Sequence, residues 1–418
     1  MNKISKILKI YKNSTEEIIP KEWNVKRLSQ LGTIYSGGTP DTENKEYWDG
    51  NIFWCTPSDI TQLQSKYIQS TENKITNKGL QNSSATLLPI KSIIVCTRAT
   101  IGNAAITNIE LATNQGFKNI IPNNCNTEWL FYSIIFNKLK LKRLGCGSTF
   151  LEISKKDFEN FKVLVPPLEE QKKIAEILST WDEAIEKQSK LIKKLELRKR
   201  GIMQCLLTGR TRLPGFTTPW QKVKLGDIFT ERNETKCEHL ALLSITADKG
   251  VILQSESDKK DTSNEDKSKY KKICPNDIGY NTMRMWQGRS ALSNIEGIVS
   301  PAYTIVTPKK NINTLFISEV IKLPRVIYDF WTHSQGLVGD TLNCKFHDFK
   351  QITVLIPSIT EQNAISKILT TFDEEINIQR KKLETLRTQK RGLIQQLLTG
   401  KTRVKIKKNN LWDLKKIL

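Results

Sequence analysis

The strongest constraint on the fold of this chain is a long internal repeat. Residues 166–212 read PPLEEQKKIAEILSTWDEAIEKQSKLIKKLELRKRGIMQCLLTGRTR, and residues 357–403 read PSITEQNAISKILTTFDEEINIQRKKLETLRTQKRGLIQQLLTGKTR. The two segments align without a gap at an offset of 191, and 23 of their 47 positions are identical. A repeat of this length indicates a duplicated structural unit, here centred on two long helices.

The duplication continues upstream of each helix, although more weakly. Asp157 matches Asp348 at the same offset of 191, and Trp23 matches Trp220 at an offset of 197. Drifting offsets indicate insertions and deletions in loops, which protein surfaces tolerate. The sequence therefore predicts an α+β protein in which two mixed α/β domains are separated by two long helices. The predicted segments are a basic N-terminal segment (1–19), a first domain (20–165), a central helix (166–212), a second domain (213–356), a C-terminal helix (357–403) and a basic tail (404–418).

Both predicted helices carry a heptad pattern. Their apolar residues recur at alternating steps of four and three, which is the spacing of the a and d positions, here called the seam, of a coiled coil. The predicted helix-pair interface comprises Ile174, Leu178, Trp181, Ile185, Gln188, Ile192 and Leu195 in the first copy and Ile365, Leu369, Phe372, Ile376, Gln379, Leu383 and Leu386 in the second. Polar seam residues fall at equivalent places in both copies, first Gln188 and Gln379, then Lys199 and Lys390. Their repetition indicates that they specify the register of the pair.

The charge distribution predicts the orientation of the helix pair. Net charge is −4 over residues 169–186 and +8 over 187–212, and the second copy has −3 over 361–375 and +7 over 376–403. A parallel pair would set like charges side by side, so we expect an antiparallel coiled coil with pseudo-two-fold symmetry. A helix of about 39 residues would span roughly 58 Å and hold one domain at each end. The alternative is that each helix packs separately on its own domain.

The ends of the helices carry recognisable signals. Pro167 suits the first turn of the first helix, and Gly209 and Gly400 mark the two C-terminal ends. Ser358 and Glu361 have the spacing of a capping box, which would open the second helix.

The composition indicates a polyanionic partner. Lys and Arg number 65 against 43 Asp and Glu, which gives a net charge of +22. Nucleic acid is the commonest partner of such a chain, and general solubility is the alternative explanation. Eight cysteines without a C-x-x-C pair and three histidines argue against a metal site and are typical of free thiols in the cytoplasm. No signal peptide or transmembrane segment is predicted, so no membrane contact is expected.

A glycine-rich turn and the basic tail are the first candidate DNA contacts. The residues of the turn are Ser36, Gly37, Gly38 and Thr39. Such a turn can present backbone amides to phosphate, or it can be purely structural. The Lys-rich segment Lys401–Lys416 can contact DNA, complete the helix bundle or remain a solvated tail.

Two matched arginines are further candidates. Arg98 directly follows the strand predicted at 92–97, Arg284 lies at the end of the strand predicted at 277–285, and each precedes a glycine by four positions. Arginine reads guanine edges or binds phosphate, and a structural salt bridge is the alternative role. An aromatic, polar and basic cluster suited to a groove follows Arg284 in the sequence and consists of Trp286, Gln287 and Arg289. Trp286 can equally belong to the core.

A set of ordered motifs identifies a family resemblance. The motifs are LGTIYSGGTP at 31–40, YW at 47–48, IFW at 52–54, RATIG at 98–102, NQGF at 114–117, SKY at 268–270, NTMRMWQG at 281–288 and GIVSPAY at 297–303. In both halves, Pro-x-x-x-Glu-Gln follows and opens the long helix. Together these motifs resemble the specificity (S) subunits of type I restriction–modification systems, and the resemblance covers almost the whole chain.

The resemblance implies a non-catalytic scaffold that reads double-stranded DNA. Each domain would be a target recognition domain for one half of a bipartite, asymmetric site, and the helices would set the spacer between the halves. The helix pair would dock two methyltransferase subunits, and two restriction motor–nuclease subunits would join them. The S-adenosylmethionine, ATP and magnesium of such a system would bind these partners, so no cofactor is expected in this chain.

Two other functions remain possible from the residues alone. Asp59, Glu72 and Lys74 weakly resemble the acid and lysine set of a magnesium-dependent nuclease, which would make the chain an autonomous enzyme. A coiled-coil scaffold that binds DNA without sequence preference is the second alternative. The segment Gly400-Lys401-Thr402 imitates the end of a P-loop, but it lacks the preceding glycine and is interpreted as a helix-terminating turn.

Overall fold

The computed structural model describes residues 19–145, 151–246, 249–257, 261, 263–336 and 341–405. The predictions for the N-terminal basic segment and for most of the basic tail therefore lie outside the described residues. The chain divides into two compact units, Met1–Lys190 with Lys381–Leu418 and Leu191–Arg380. Each unit contains one mixed α/β domain together with part of each long helix.

The domain of the first unit is built on a five-stranded sheet. Its strands are β1 (Asn24–Arg27), β2 (Gly32–Ser36), β3 (Trp48–Cys55), β4 (Tyr67–Ile68), β5 (Asn73–Ile75), β6 (Ile93–Cys96), β7 (Ala104–Thr107), β8 (Leu111–Thr113), β9 (Phe117–Pro122) and β10 (Lys162–Val165). The main sheet has the order β2-β9-β6-β7-β4, and smaller sheets have the orders β5-β3-β8 and β1-β10. The central strand β6 is buried at every position, which explains its continuous apolar run IIVC.

Helices pack on these sheets and complete their cores. They are α1 (Pro57–Gln62), α2 (Asn77–Gln81), α3 (Thr127–Phe136), α4 (Lys138–Leu144), α5 (Lys155–Asn160) and the long helix α6 (Leu168–Leu206). The core includes Trp129 of α3 and continues into the long helix through Ile174 and Leu178, all fully buried. The start of the long helix is therefore part of the domain core.

The second unit repeats this plan with shorter strands. Its strands are β11 (Gln221–Lys224), β12 (Phe229–Glu231), β13 (Leu243–Ile245), β14 (Val251–Leu253), β15 (Lys271–Ile273), β16 (Ile278–Asn281), β17 (Ser290–Leu292), β18 (Gly297–Val299), β19 (Tyr303–Pro308) and β20 (Thr353–Ile356). Its helices are α7 (Leu225–Ile228), α8 (Thr314–Val320), α9 (Pro324–His333), α10 (Phe346–Phe349) and the long helix α11 (Ile359–Leu398). The main sheet has the order β12-β19-β16-β17, beside the pairs β11-β20, β13-β14 and β15-β18.

The two domains share a common framework. The order β12-β19-β16-β17 corresponds to β2-β9-β6-β7, and the ladder β11-β20 corresponds to β1-β10. In chain order, α8, α9 and α10 occupy the positions of α3, α4 and α5. The predicted strand at 92–97 is present as β6, whereas the strand predicted at 277–285 ends at Asn281 as part of β16. The residues beyond Asn281 form a turn, because Met285–Gln287 adopt a short 3-10 helix.

In the first unit, the start of α6 packs against the end of α11. Leu397 and Leu398 belong to the same buried cluster as Ile174 and Leu178. Lys390, a polar seam residue, forms an ion pair with Asp182. The acidic beginning of one helix therefore lies along the basic end of the other.

In the second unit, the same arrangement occurs with the roles of the helices exchanged. Leu206 of α6 shares a buried cluster with Ile365 and Leu369 of α11. The seam residue Lys199 binds Asp373, with 2.5 Å between Nζ and Oδ1. This pair is equivalent to Lys390–Asp182, because Lys199 matches Lys390 and Asp182 matches Asp373 at the repeat offset of 191. Both units show the antiparallel pairing that the charge distribution predicts, and the alternative of two separately packed helices is excluded.

The structure buries the predicted seam to different degrees. Nine of the fourteen predicted interface residues are buried and five are half-buried. The half-buried ones are Trp181, Ile185, Phe372, Gln379 and Leu386. Gln188 is buried despite its polarity.

Reversing the charge of Lys390 is expected to destabilise the first unit. Asp182 accepts hydrogen bonds from Lys390 and from the hydroxyl of Tyr132, so Lys390→Glu replaces a charge-assisted bond by repulsion. We expect a decrease of about 2 kcal/mol in the free energy of unfolding, measured by denaturant titration. The matched variant Lys199→Glu should have a smaller effect, because the Asp373 side chain is 49% exposed and screened by water. Equal effects of the two substitutions would contradict this account.

The Glu-Gln pair at the start of each long helix joins the helix to its domain. In the first unit, the Gln171 side chain accepts a hydrogen bond from the backbone N–H of Asn126 at 2.8 Å and donates one to the Pro166 carbonyl at 2.9 Å. The Gln362 side chain binds the backbone N–H of Asn313 and the Pro357 carbonyl in the same way, both at 2.9 Å. Since Asn126 caps α3 and Asn313 caps α8, each glutamine fixes one helix of the domain to the long helix.

The neighbouring glutamate corrects one prediction. Glu361 accepts no hydrogen bond from Ser358, so the predicted capping box is not formed; both of its oxygens instead accept from Arg212 at 2.7 Å. Glu170 binds Arg403 in the equivalent way, at 2.7 and 3.0 Å. We call each of these pairs a clasp. A buried carboxylate at the start of one long helix thus binds an arginine just beyond the end of the other.

Candidate nucleic-acid interface

Each domain presents a turn that carries one of the two matched arginines. In the first unit, the turn between β6 and β7 contains Arg98 and ends at Gly102, whose φ is +82°. In the second unit, the turn between β16 and β17 contains Arg284 and Gly288, whose φ is +72°. Positive φ favours glycine, which explains why a glycine follows each arginine by four positions.

The two turns pack against helices that occupy equivalent positions in the two domains. A Cβ on Gly102 would lie 2.7 Å from Cγ of Lys138 in α4. A Cβ on Gly288 would lie 2.7 Å from Cδ1 of Ile327 in α9. The glycines therefore permit a close approach between turn and helix. Turn and helix together form one continuous surface in each unit, which we call the turn–helix surface.

Arg98 is partly committed to a structural ion pair. Its guanidinium donates two hydrogen bonds to Glu152, the Nε bond measuring 3.1 Å, while its side chain remains 41% exposed. Lys118 lies 3.5 Å from the same carboxylate. Burial alone would raise the pKa of Glu152, but the hydrogen bond and charge of Arg98, with Lys118, bring it below its ordinary value. The salt bridge considered as the alternative role of Arg98 is thus present, and a phosphate would share the guanidinium with Glu152.

The second turn leaves its polar residues at the surface. The backbone of Arg284 accepts from the Gln287 and Arg289 amides, and this half-buried residue holds the turn together. Trp286 is half-buried rather than part of the core, and its Nε1 donates to the Met283 carbonyl at 3.0 Å. Gln287 and Arg289 are exposed. The aromatic, polar and basic cluster therefore lies on the turn–helix surface of the second unit.

The two glycines of the glycine-rich turn do not offer their amides to a ligand. The Gly37 amide donates to the Phe117 carbonyl at 3.2 Å, and the Gly38 amide donates to the Thr113 carbonyl at 2.9 Å. Both glycines are buried, and a Cβ on either would collide with neighbouring backbone. The prediction that these amides bind phosphate is therefore corrected, and the turn has a structural role there. Ser36 and Thr39 are half-buried, and the Thr39 hydroxyl donates to Gln115.

The basic helix α4 was not among the predicted DNA-binding residues. Its sequence KLKLKRL contains no acidic residue, and Lys138, Lys140, Lys142 and Arg143 are all exposed while Leu141 is buried. The signal was present in the sequence as a short basic run. The sequence did not show that this run lies beside the arginine turn, because the fold brings α4 against that turn.

The residues of the suggested nuclease centre have structural roles. Asp59 accepts from the amide and hydroxyl of Thr56, both at 2.8 Å, and so caps α1. Its second oxygen accepts from the Glu72 amide at 3.0 Å. Lys74 lies over the ring of Phe53, 4.8 Å from its centroid. Within the described ranges, no group of three or more His, Cys, Asp and Glu is arranged to hold a metal ion.

Comparison with known proteins agrees with this architecture. Residues 20–197 and 218–388 match the family described as the type I restriction modification DNA specificity domain. The MjaIX specificity subunit of Methanocaldococcus jannaschii is 39% identical over 185 residues, which are 43% of each chain. The MjaVIII specificity subunit of the same organism is 25% identical over 417 residues, 93% of this chain and 94% of that one. The alignment with the EcoR124I/EcoR124II specificity subunit of Escherichia coli, 30% identical, spans 45% of that relative.

Solved structures show the same fold. The S subunit of a type I restriction–modification system from M. genitalium superimposes with a TM-score of 0.56 at 14% identity, over 92% of this chain and 98% of that one. A chain from a study of complex assembly and conformational transition in the type I R-M system has a TM-score of 0.59 at 16% identity and is covered completely.

Each unit carries one of two related α/β domains on antiparallel stretches of the two long helices, and this is the fold class of the solved structures compared above. The family match covers both domains and most of both helices. This chain belongs to the type I restriction modification DNA specificity domain family. The resemblance seen in the ordered motifs is thereby confirmed, and the nuclease and unspecific-scaffold alternatives receive no support. No helix in the described part of the chain is long and apolar enough to cross a membrane.

Proposed function

We propose that this chain gives a type I restriction–modification enzyme its DNA specificity. Each domain reads one half of a bipartite DNA site through its turn–helix surface, and the helix pair sets the spacer. The chain performs no chemistry itself. Two methyltransferase subunits dock on the helices, and two motor–nuclease subunits join through them. S-adenosylmethionine, ATP and magnesium bind these partners, and the assembly works in the cytoplasm.

The observation that carries this proposal is a contrast between matching and diverged parts of the repeat. The helix contacts recur at an offset of 191, as in Lys199–Asp373 with Lys390–Asp182 and Arg212–Glu361 with Arg403–Glu170. The arginine turns instead differ at every position between the arginine and its glycine, with ATI at 99–101 and MWQ at 285–287. Two matching supports that carry two different surfaces suit the reading of two different half-sites.

Single-molecule methylation sequencing tests the proposal. The DNA of a cell that contains this chain and its methyltransferase partner is compared with that of the same cell after deletion of this chain. We expect a two-part, asymmetric methylated motif that disappears with the deletion. A motif that persists would assign specificity to another protein. Equal affinity of the purified protein for motif and scrambled duplexes would support the unspecific scaffold instead.

A further inference from the structure

Helix α9 of the second unit exposes an aromatic pair. The side chains of Tyr328 and Trp331 are 59% and 48% exposed, and their ring centroids are 5.5 Å apart. They are neighbours because residues three apart lie on one face of a helix. The opposite face of α9 is anchored in the core by Val326 and Phe330. Two large rings held together at a surface by a well-packed helix indicate a binding site.

The aromatic pair belongs to a basic surrounding. The short 3-10 helix at Met285–Gln287 packs directly on α9, and Gly288 lies against Ile327. Arg289 on the turn and Arg325 on α9 are both exposed. The aromatic rings thus share their surface with exposed guanidinium groups, which favour a negatively charged partner.

The sister helix in the first unit identifies the partner. Helix α4 occupies the same place in the duplicated framework, packed against the Gly102 turn as α9 packs against the Gly288 turn. Its exposed side chains include Lys138, Lys142 and Arg143, and it contains no acid. Leu139 is also exposed, but four exposed cations without an acidic residue make a polyanion the partner that this surface suits best. Because the two helices descend from one element, the partner of α4 is the best guide to the partner of α9.

We propose that α4 and α9 both contact the DNA duplex, but through different forces. This inference rests on the proposed function and assigns the contacts within it. Helix α4 binds backbone phosphates of the first half-site with its cations. Helix α9 contacts base edges of the second half-site with Tyr328 and Trp331, where aromatic rings pack against thymine methyl groups or exposed bases. Sequence discrimination through α9 then depends little on salt, whereas binding through α4 depends strongly on it.

Binding measured over a range of salt concentrations separates the two contributions. The full-length protein is titrated with a duplex that carries the sequence motif identified by methylation sequencing. For Tyr328→Ala/Trp331→Ala we expect affinity to fall about 10- to 100-fold with an unchanged dependence of log K on log salt. For Lys142→Ala/Arg143→Ala we expect the slope of that dependence to become shallower, by about 0.9 for each phosphate that the variant no longer neutralises. The methylated motif should become degenerate in its second half only for the aromatic variant.

Matched controls keep the test independent of folding. Tyr328→Phe retains the ring and should bind like the unaltered protein, and Leu355→Ala removes an exposed apolar side chain from β20 without effect. Unchanged affinity and motif for the aromatic variant would overturn this inference. A decrease in affinity that occurs only when methyltransferase subunits are present would also overturn it, because the pair would then bind protein. If the unaltered protein itself fails to prefer its motif duplex over a scrambled one, the proposed function fails instead.

Discussion

Replacing Arg403 with alanine is expected to lower the free energy of unfolding of the first unit by about 3 kcal/mol. The Glu170 carboxylate is 1% exposed and accepts from Arg403 Nε at 2.7 Å and Nη2 at 3.0 Å. Without Arg403, the Trp23 indole, which donates to Glu170 at 3.0 Å, remains as a neutral partner. A buried charge without its counter-ion is strongly destabilising, because the charge keeps the desolvation penalty and no longer has the attraction that offsets it.

The second clasp provides a matched comparison. Glu361 is also 1% exposed and binds Arg212 at 2.7 Å through both oxygens. Trp220, the counterpart of Trp23, has a buried indole nitrogen that finds no hydrogen-bond partner in the described part of the chain. Arg212→Ala should therefore cost at least as much as Arg403→Ala. Denaturant unfolding followed by tryptophan fluorescence measures both.

A neutralised glutamate distinguishes the effect of charge from that of packing. Glu170→Gln keeps an acceptor for Trp23 and leaves Arg403, which is 41% exposed, able to reach water. We expect the free energy of unfolding of this variant to fall by only about 1 kcal/mol. If Arg403→Ala unfolds at the same denaturant concentration as the unaltered protein, the carboxylate is hydrated and the clasp does not stabilise the unit.

Lengthening both long helices by one heptad is expected to shift methylation to sites with a longer spacer. The insertions are placed between Lys190 and Leu191 and between Arg380 and Lys381, positions that are equivalent in the repeat to within one residue. They fall at the boundary of the two units, so the contacts within each unit are preserved. One heptad adds about 10 Å of helix, or roughly three base pairs at about 3.4 Å each. Methylation sequencing should find both half-sites unchanged and the original sites unmodified.

Controls for this prediction use the same positions. An insertion in α6 alone prevents the Lys199–Asp373 and Lys390–Asp182 pairs from forming at the same time, and should abolish methylation, because the paired helices then differ in length. A heptad preserves the seam on each helix, so absence of methylation with the paired insertion would show that partner docking requires the natural length. A changed half-site would contradict the separate roles of domains and helices.

The repeat, the helix pair and its orientation could be read from the sequence. Heptad spacing and the segregation of charge are local properties, and they predict burial and pairing without knowledge of distant residues. The seam residues Lys199 and Lys390 were recognisable as register signals for the same reason. The strand at Ile93–Cys96 was predictable because its apolar run leaves few alternatives.

Other features depended on interactions between residues far apart in the chain. Glu361 has the spacing of a local capping residue with Ser358, yet it binds Arg212, which lies 149 residues away. Arg98 meets Glu152 across 54 residues, and the Gly37 and Gly38 amides are taken by backbone carbonyls of later strands. Propensity and spacing describe what a residue can do with its neighbours in sequence.

The pairing of α4 and α9 with the arginine turns was likewise decided by the fold. The sequence shows α4 only as a short basic run, and it does not relate this run to α9, because the two helices share little in composition. Only the packing of Gly102 on Lys138 and of Gly288 on Ile327 places them on equivalent surfaces. The sequence by itself therefore determined the duplicated scaffold, because hydrophobic periodicity and charge distribution are properties of neighbouring residues in the chain. The tertiary structure decided which side chains the domains present, because a side chain reaches whichever partner the folded chain brings within hydrogen-bonding or packing distance.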